Sequence, residues 1–149
     1  MKKALIIGIA GQDGAYLAKF LLDMGYKVIG LHKNLNDASF WRLKKLKIKD
    51  EVEKVFFDLA NYHQISKILK IFKPDEVYNL GGITSVSKSF EDAFTCFEIN
   101  GLSVYHILEE ISKLNFEIKY YQASSSEMFG SNKSKDLDEN SNFKPVSPY

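Results

Sequence analysis

The side chains able to do chemistry gather near the end of the chain. Tyr120-Tyr121-Gln122-Ala123-Ser124-Ser125-Ser126-Glu127 runs from an apolar segment into three hydroxyls and a carboxylate, and Tyr149 stands 22 residues past Glu127. This set suits oxidation of an alcohol by hydride transfer. A phenol takes the hydroxyl proton, a serine hydroxyl holds the substrate oxygen, and a carboxylate works on the neighbouring carbon. A free phenol titrates near ~10, so a lysine one helical turn past Tyr149 is expected to lower it. The chain therefore reads as the cofactor-binding half of an enzyme, with its C-terminal, substrate-binding part beyond Tyr149. Ser124 to Ser126 taken alone read equally as a polar strand end, and Glu127 alone as a surface residue.

Hydride transfer needs a dinucleotide, and Gly8-Ile9-Ala10-Gly11-Gln12-Asp13-Gly14 is placed to hold one. A pyrophosphate must approach the backbone and meet the amides of a helix N-terminus, where partial positive charge lies. A Cβ at the close-approach glycine would hold the anion away, and the last glycine lets helix and strand pack closely. The spacing is G-x-x-G-x-x-G, in a strand–turn–helix context that raises its weight. Gly8, Gly11, Gln12, Asp13 and Gly14 are thus candidate cofactor contacts.

The end of the second strand selects the dinucleotide. Enzymes for the unphosphorylated form place Asp or Glu there, on the ribose diol. Here Leu31-His32-Lys33-Asn34 stands instead, and the first carboxylate is Asp37. Lys33 and Arg42 would favour a 2′-phosphate, so NADP is expected, with NAD as the alternative. Lys33 also reads as one more solvated lysine. Asp58, beside Leu59, could accept from an adenine amino group or cap the next helix. Leu80, Gly81, Gly82 and Thr84 follow the fourth strand, where small residues let a dinucleotide lie across the strand ends.

Elements must position these groups. Short apolar runs at 3–8, 27–31, 54–57, 76–80 and 118–122 read as buried strands. Between them, Leu17, Phe20, Leu21 and Met24 take helical spacing, with Gly25 as the C-terminal cap. Ile65, Ile68, Leu69 and Phe72 do the same, with Asn61 as a possible N-cap, and so do Val104, Ile107, Leu108 and Ile111. Residues 41–46 read as a basic surface helix, and 34–39 and 131–142 as polar loops. The alternation predicts an α/β fold: a doubly wound parallel sheet of Rossmann type, helices on both faces, in one NAD(P)-binding domain over 1–149.

Composition excludes several classes. The 149 residues are 45% hydrophobic and 26% charged, ordinary for a soluble globular domain. A net charge of +1 provides no field for nucleic acid or an anionic membrane. The single Cys96 forms no internal disulfide, which fits a cytoplasmic location. No apolar run is long enough for a membrane span, and the apolar start breaks at Gly11 without the pattern of a signal peptide.

Taken together, these residues resemble the extended short-chain dehydrogenase/reductases, and within them the GDP-mannose 4,6-dehydratases. The resemblance spans the whole chain. Gly11-Gln12-Asp13-Gly14, Tyr78-Asn79-Leu80, Ser89-Phe90-Glu91 and Tyr121-Gln122-Ala123-Ser124-Ser125-Ser126-Glu127 carry it most specifically. It implies that Tyr149 shuttles the proton, Glu127 is the base at C5 and Ser125 binds the sugar's O4. It further implies a GDP-linked nucleotide-sugar substrate and a homo-oligomeric full-length enzyme. Relatives usually carry alanines then Gln-Ser where Gly81-Gly82-Ile83-Thr84 stands, and a second basic residue where Asn34 follows Lys33. Three readings stay open: a GDP-hexose dehydratase; an N-acetylhexosamine dehydratase, 4-epimerase or reductase of the same family; and a dinucleotide-binding module without activity. Glu127 favours dehydration, because a 4-epimerase does not need to remove the C5 proton.

Overall fold

The computed structural model describes residues 1–131 and 136–149. Its centre is a parallel five-stranded sheet: β1 (Lys3–Ile7), β2 (Lys27–His32), β3 (Glu53–Phe56), β4 (Glu76–Asn79) and β5 (Lys119–Gln122), in the order β3-β2-β1-β4-β5. All five expected strands are present within a residue of their expected starts. Three stop a residue early, at Ile7, Phe56 and Asn79, because Gly8, Phe57 and Leu80 already belong to the segments that leave the sheet.

Strand side chains alternate between two faces, and each face has its own helices. Ala4, Ile6 and Val28 pack with Ala15, Ala18 and Leu21 of α1 (Gln12–Asp23) and with Leu43 of α2 (Trp41–Lys45). Leu5, Ile7, Ile29, Leu31 and Val77 pack with Ile65, Ile68 and Leu69 of α3 (Gln64–Phe72) and Ile107 of α6 (Ser103–Ser112). This is the doubly wound arrangement, and its sense follows from β1 lying between β2 and β4. Two short helices, α4 (Val86–Glu91) and α5 (Ala93–Phe97), lead through a π-helical segment, Glu98–Leu102, into α6.

Two helix details differ from expectation. In α1 the buried face is Gly14, Ala15, Ala18 and Leu21, while Phe20 and Met24 are 61% and 57% exposed. Close packing of α1 on the sheet is made through Gly14, Ala15 and Ala18 with Leu21 as the one large side chain among the buried four, and Phe20 and Met24 turn outward. Asn61 does not cap α3; it ends a 3₁₀ turn, Leu59–Asn61, and α3 starts at Gln64 without a side-chain cap. Gly25 behaves as expected. At φ +79° it follows α1, and its N–H donates to Leu22 O while Tyr26 N–H donates to Leu21 O. The expected surface helix is α2, which buries Leu43 and leaves its lysines in water. Of the expected loop over 131–142, residues 132–135 lie outside the described residues.

Candidate active site

In a doubly wound sheet ligands sit where strand order reverses, here between β1 and β4. The glycine loop and the β4 exit touch at that point. Gly8 has φ +85°, and a Cβ there would lie 2.8 Å from Leu80 O and 2.9 Å from Gly81 N. At Gly14 a Cβ would lie 2.4 Å from Gly8 O, so that glycine lets α1 sit against the loop. Gly11 differs. Its φ is −68°, it is the N-cap of α1, and no side chain caps the helix. The first-turn amides of Gln12, Asp13 and Gly14 therefore have no side-chain cap, which is the arrangement that receives an anion.

Beyond the loop lies a cavity of about 750 Å³. Ser125, Glu127 and Tyr149 all line it, together with Asp13, Leu80, Gly81, Gly82 and Thr84. The β5 exit delivers the first two. Ser124 takes φ +32°, a left-handed value unusual for a residue with a side chain, and reverses the chain as it leaves the sheet. Ser125 Oγ then accepts from Glu127 N–H at 3.1 Å and caps the 3₁₀ turn Ser126–Met128. Tyr149 arrives by a separate route. The chain folds back so that Lys144 N–H donates to Met128 O and Ser131 N–H to Lys144 O, both at 3.0 Å, with Phe129 and Phe143 ring to ring at 5.4 Å.

Side-chain amides stiffen the floor. Asn79, 1% exposed, accepts from Gly81 N–H at 3.3 Å through Oδ1 and donates to Gln122 Oε1 at 2.9 Å. Tyr120 donates to the same Gln122 oxygen at 2.6 Å, and burial pushes its phenol up from the ordinary value. Asn100 accepts from Ile83 N–H at 2.8 Å and donates to Ile83 O at 2.9 Å. A Cβ on Gly82 would stand 2.9 Å from that Asn100 oxygen.

The remaining candidates lie outside the cavity's lining. Lys33 is exposed just past β2 and makes no hydrogen bond or ion pair with the described residues. Arg42 reaches the outside of the glycine loop. It donates to Ala10 O at 3.2 Å and stacks on Trp41, 4.3 Å from the ring centre. Asp58 accepts from Ala60 N–H at 3.1 Å, so one carboxylate oxygen caps the turn that follows it. Leu59 packs under the β4 exit, where a Cβ on Gly81 would meet its Cδ1 at 2.9 Å.

Residues 5–149 match the sequence model of the GDP-mannose 4,6-dehydratase family. The chain belongs to that family. Similar curated relatives include the GDP-mannose 4,6-dehydratase of Vibrio cholerae, 38% identical over 99% of this chain and 42% of that protein. The human GDP-mannose 4,6 dehydratase is 34% identical over 98% of this chain and 41% of its own length. The chain thus spans about 42% of the relatives it matches. Among solved structures, the UDP-Glc/GlcNAc 4-epimerase of Campylobacter jejuni superposes with a TM-score of 0.88 at 19% identity, over 100% of this chain and 45% of that one. The UDP-glucose 4-epimerase of Thermus thermophilus, solved with NAD, gives 0.81 at 23%, over 99% and 46%. These two likenesses speak for the fold.

Sequence reasoning named Asn79 and Gln122 within motifs but gave them no role, and it passed over Asn100; all three line the cavity of this dehydratase-family chain. A signal existed for Asn100. Asn-Gly inside a helical stretch is a local conflict, and the structure resolves it as the π-helical segment Glu98–Leu102. The fold-back that carries Tyr149 left no periodic mark.

Proposed function

We propose that this chain is the dinucleotide-binding part of a nucleotide-sugar 4,6-dehydratase acting on GDP-mannose with a tightly held NADP. The observation that carries the reading is the shared cavity of Ser125, Glu127 and Tyr149 beside the glycine-lined switch point. The fit to a dinucleotide rests on the uncapped first turn of α1 and on Gly8 and Gly14, which leave no space for a Cβ. Gly8, Gly11, Gln12, Asp13 and Gly14 would hold the pyrophosphate side, with Leu80, Gly81, Gly82 and Thr84 beneath. Asp58 and Leu59 would flank the adenine, and Lys33 and Arg42 would face the 2′-phosphate.

The dinucleotide, when bound, accepts a hydride and returns it. This chain's residues handle the protons. Tyr149, as phenolate, takes the proton from O4 while Ser125 holds that oxygen, and C4 becomes a ketone. The ketone acidifies the C5 hydrogen, which Glu127 removes as a proton. The electron pair left at C5 forms the C5–C6 double bond as the C6 hydroxyl, taking that proton from Glu127, departs as water. Hydride return to C6 and a proton to C5 give the 4-keto-6-deoxy sugar, with no net oxidation. Losing such an acid–base group costs about 10²–10⁴-fold in rate.

The test uses full-length enzyme and GDP-mannose, following solvent deuterium at C5 of the product. Wild type should incorporate it; Glu127→Gln should block water loss while still binding the dinucleotide. A variant that dehydrates at the normal rate would remove the reading's main support. The 149-residue chain alone should form no 4-keto sugar, since it spans less than half of its relatives.

A further inference from the structure

We propose that Asn100 and Cys96 are positioning residues that hold Tyr149 in register with the cavity floor; the inference rests on the dehydratase reading only for the role it gives Tyr149. Among the described residues, the one hydrogen bond made by residues 145–149 joins Pro148 O to the Cys96 thiol, S···O 3.9 Å. Pro145 and Pro148 have no N–H to contribute, so the segment can be tied only through its acceptors and the few amides left.

The tie continues to the floor. Cys96 is fully buried, and Asn100 Nδ2 donates toward its sulfur at 3.7 Å. The same amide brackets Ile83, accepting from its N–H and donating to its carbonyl. Backbone groups at both ends fix the direction of the whole chain of bonds. Ile83 N–H can only donate, so Asn100 must offer Oδ1 to it and Nδ2 to the sulfur. Pro148 O can only accept, so the thiol must give its hydrogen there. A thiol is a weak donor, but its value here is geometric. It links the loop under the sugar and dinucleotide to the peptide immediately before the phenol, so the two sides of the reaction centre move as one body. Misplacement of about 1 Å at such a centre costs up to ~10²-fold in rate.

The test compares Cys96→Val, which fills similar space without a donor, with Cys96→Ala and Cys96→Ser in the full-length protein. Two readouts are taken: the NMR order parameter of the Tyr149 backbone N–H, and kcat against KM with GDP-mannose. In Val and Ala variants, the Tyr149 order parameter should fall and kcat drop about tenfold, with KM and NADP affinity within about twofold, as expected for lost orientation. Serine, which keeps a donor, should recover part of both. A wild-type order parameter and kcat in either the Val or the Ala variant would overturn the proposal; where Val restores what Ala lost, packing and not the hydrogen bond is responsible. Should wild-type enzyme leave GDP-mannose unchanged, the functional reading fails while the order parameter still decides this one.

Discussion

At the amino ends of the strands, Glu76 is 9% exposed and accepts from Tyr26 OH at 3.1 Å and Tyr78 OH at 2.7 Å, with Lys2 Nζ 3.8 Å away. Lys3 N–H donates to Asp75 at 2.7 Å beside them. At the carboxyl ends of the same strands, the chain exposes helix amides and hydroxyls around an open cavity, and it admits glycines where side chains would clash. Buried polar groups in a stable fold are normally paired, and both ends obey: the amino end through Glu76, the carboxyl end through Asn79, Asn100 and Gln122. The difference is that the paired groups of the carboxyl end line an open cavity with Ser125, Glu127 and Tyr149, which is why the proposed function is placed there.

Changes to functional side chains at the two ends should accordingly separate activity from stability, while changes to the backbone-packing glycines should affect both. The largest effect is expected for Tyr149→Phe in the full-length enzyme. Turnover should fall by about 10²–10⁴-fold, with the melting temperature and dinucleotide affinity unchanged; a matching loss of stability would erase the distinction between the ends. Next comes Gly14→Ala, where the added Cβ would stand 2.4 Å from a backbone oxygen. Urea denaturation should show a loss of about 1–3 kcal/mol, the usual cost of overpacking, and titration should show dinucleotide binding lost with it.

The amino end is probed by Tyr78→Phe, which should cost about 1 kcal/mol for a hydrogen bond partly open to water and leave NADP affinity alone. Its pH dependence has a definite sign. Burial, then the hydrogen bond to Glu76, pushes the Tyr78 phenol up to about 12, above the ~10 of an unfolded chain. Between those values the folded protein keeps a proton that the unfolded protein has lost. The contribution is therefore complete below pH ~10 and disappears as pH rises through 12. Denaturation curves of wild type should steepen downward across that window relative to Tyr78→Phe. The smallest effect is expected for Lys33→Ala. An exposed charge contributes under ~1 kcal/mol, so the proposed preference for NADP over NAD should shrink by about two- to fivefold. Unchanged preference would leave Arg42 as the selecting residue.

Strand positions and the glycine loop were legible because they depend on neighbours in sequence: short apolar runs, helical spacing, and glycines between them. The same logic misjudged α1, where Phe20 and Met24 keep the helical stripe yet face water. Which part of a stripe is buried depends on how closely the helix sits against the sheet. Asp58 was ambiguous for a related reason, since a carboxylate after a strand suits a cap or a ligand, and only its bond to Ala60 N–H shows what it does in the fold.

By itself the sequence determined the order of elements, the parallel sheet and the glycine-lined turn, all set by local spacing and side-chain chemistry. Tertiary structure decided what distance along the chain hides. It brought Tyr149 back to Ser125 and Glu127 by pairing residues 128–131 with Lys144. It also set Asn79, Asn100 and Gln122 as braces beneath them. Those contacts join residues far apart in sequence whose types are common in any loop, and a hydrogen bond between two such groups leaves no period to read.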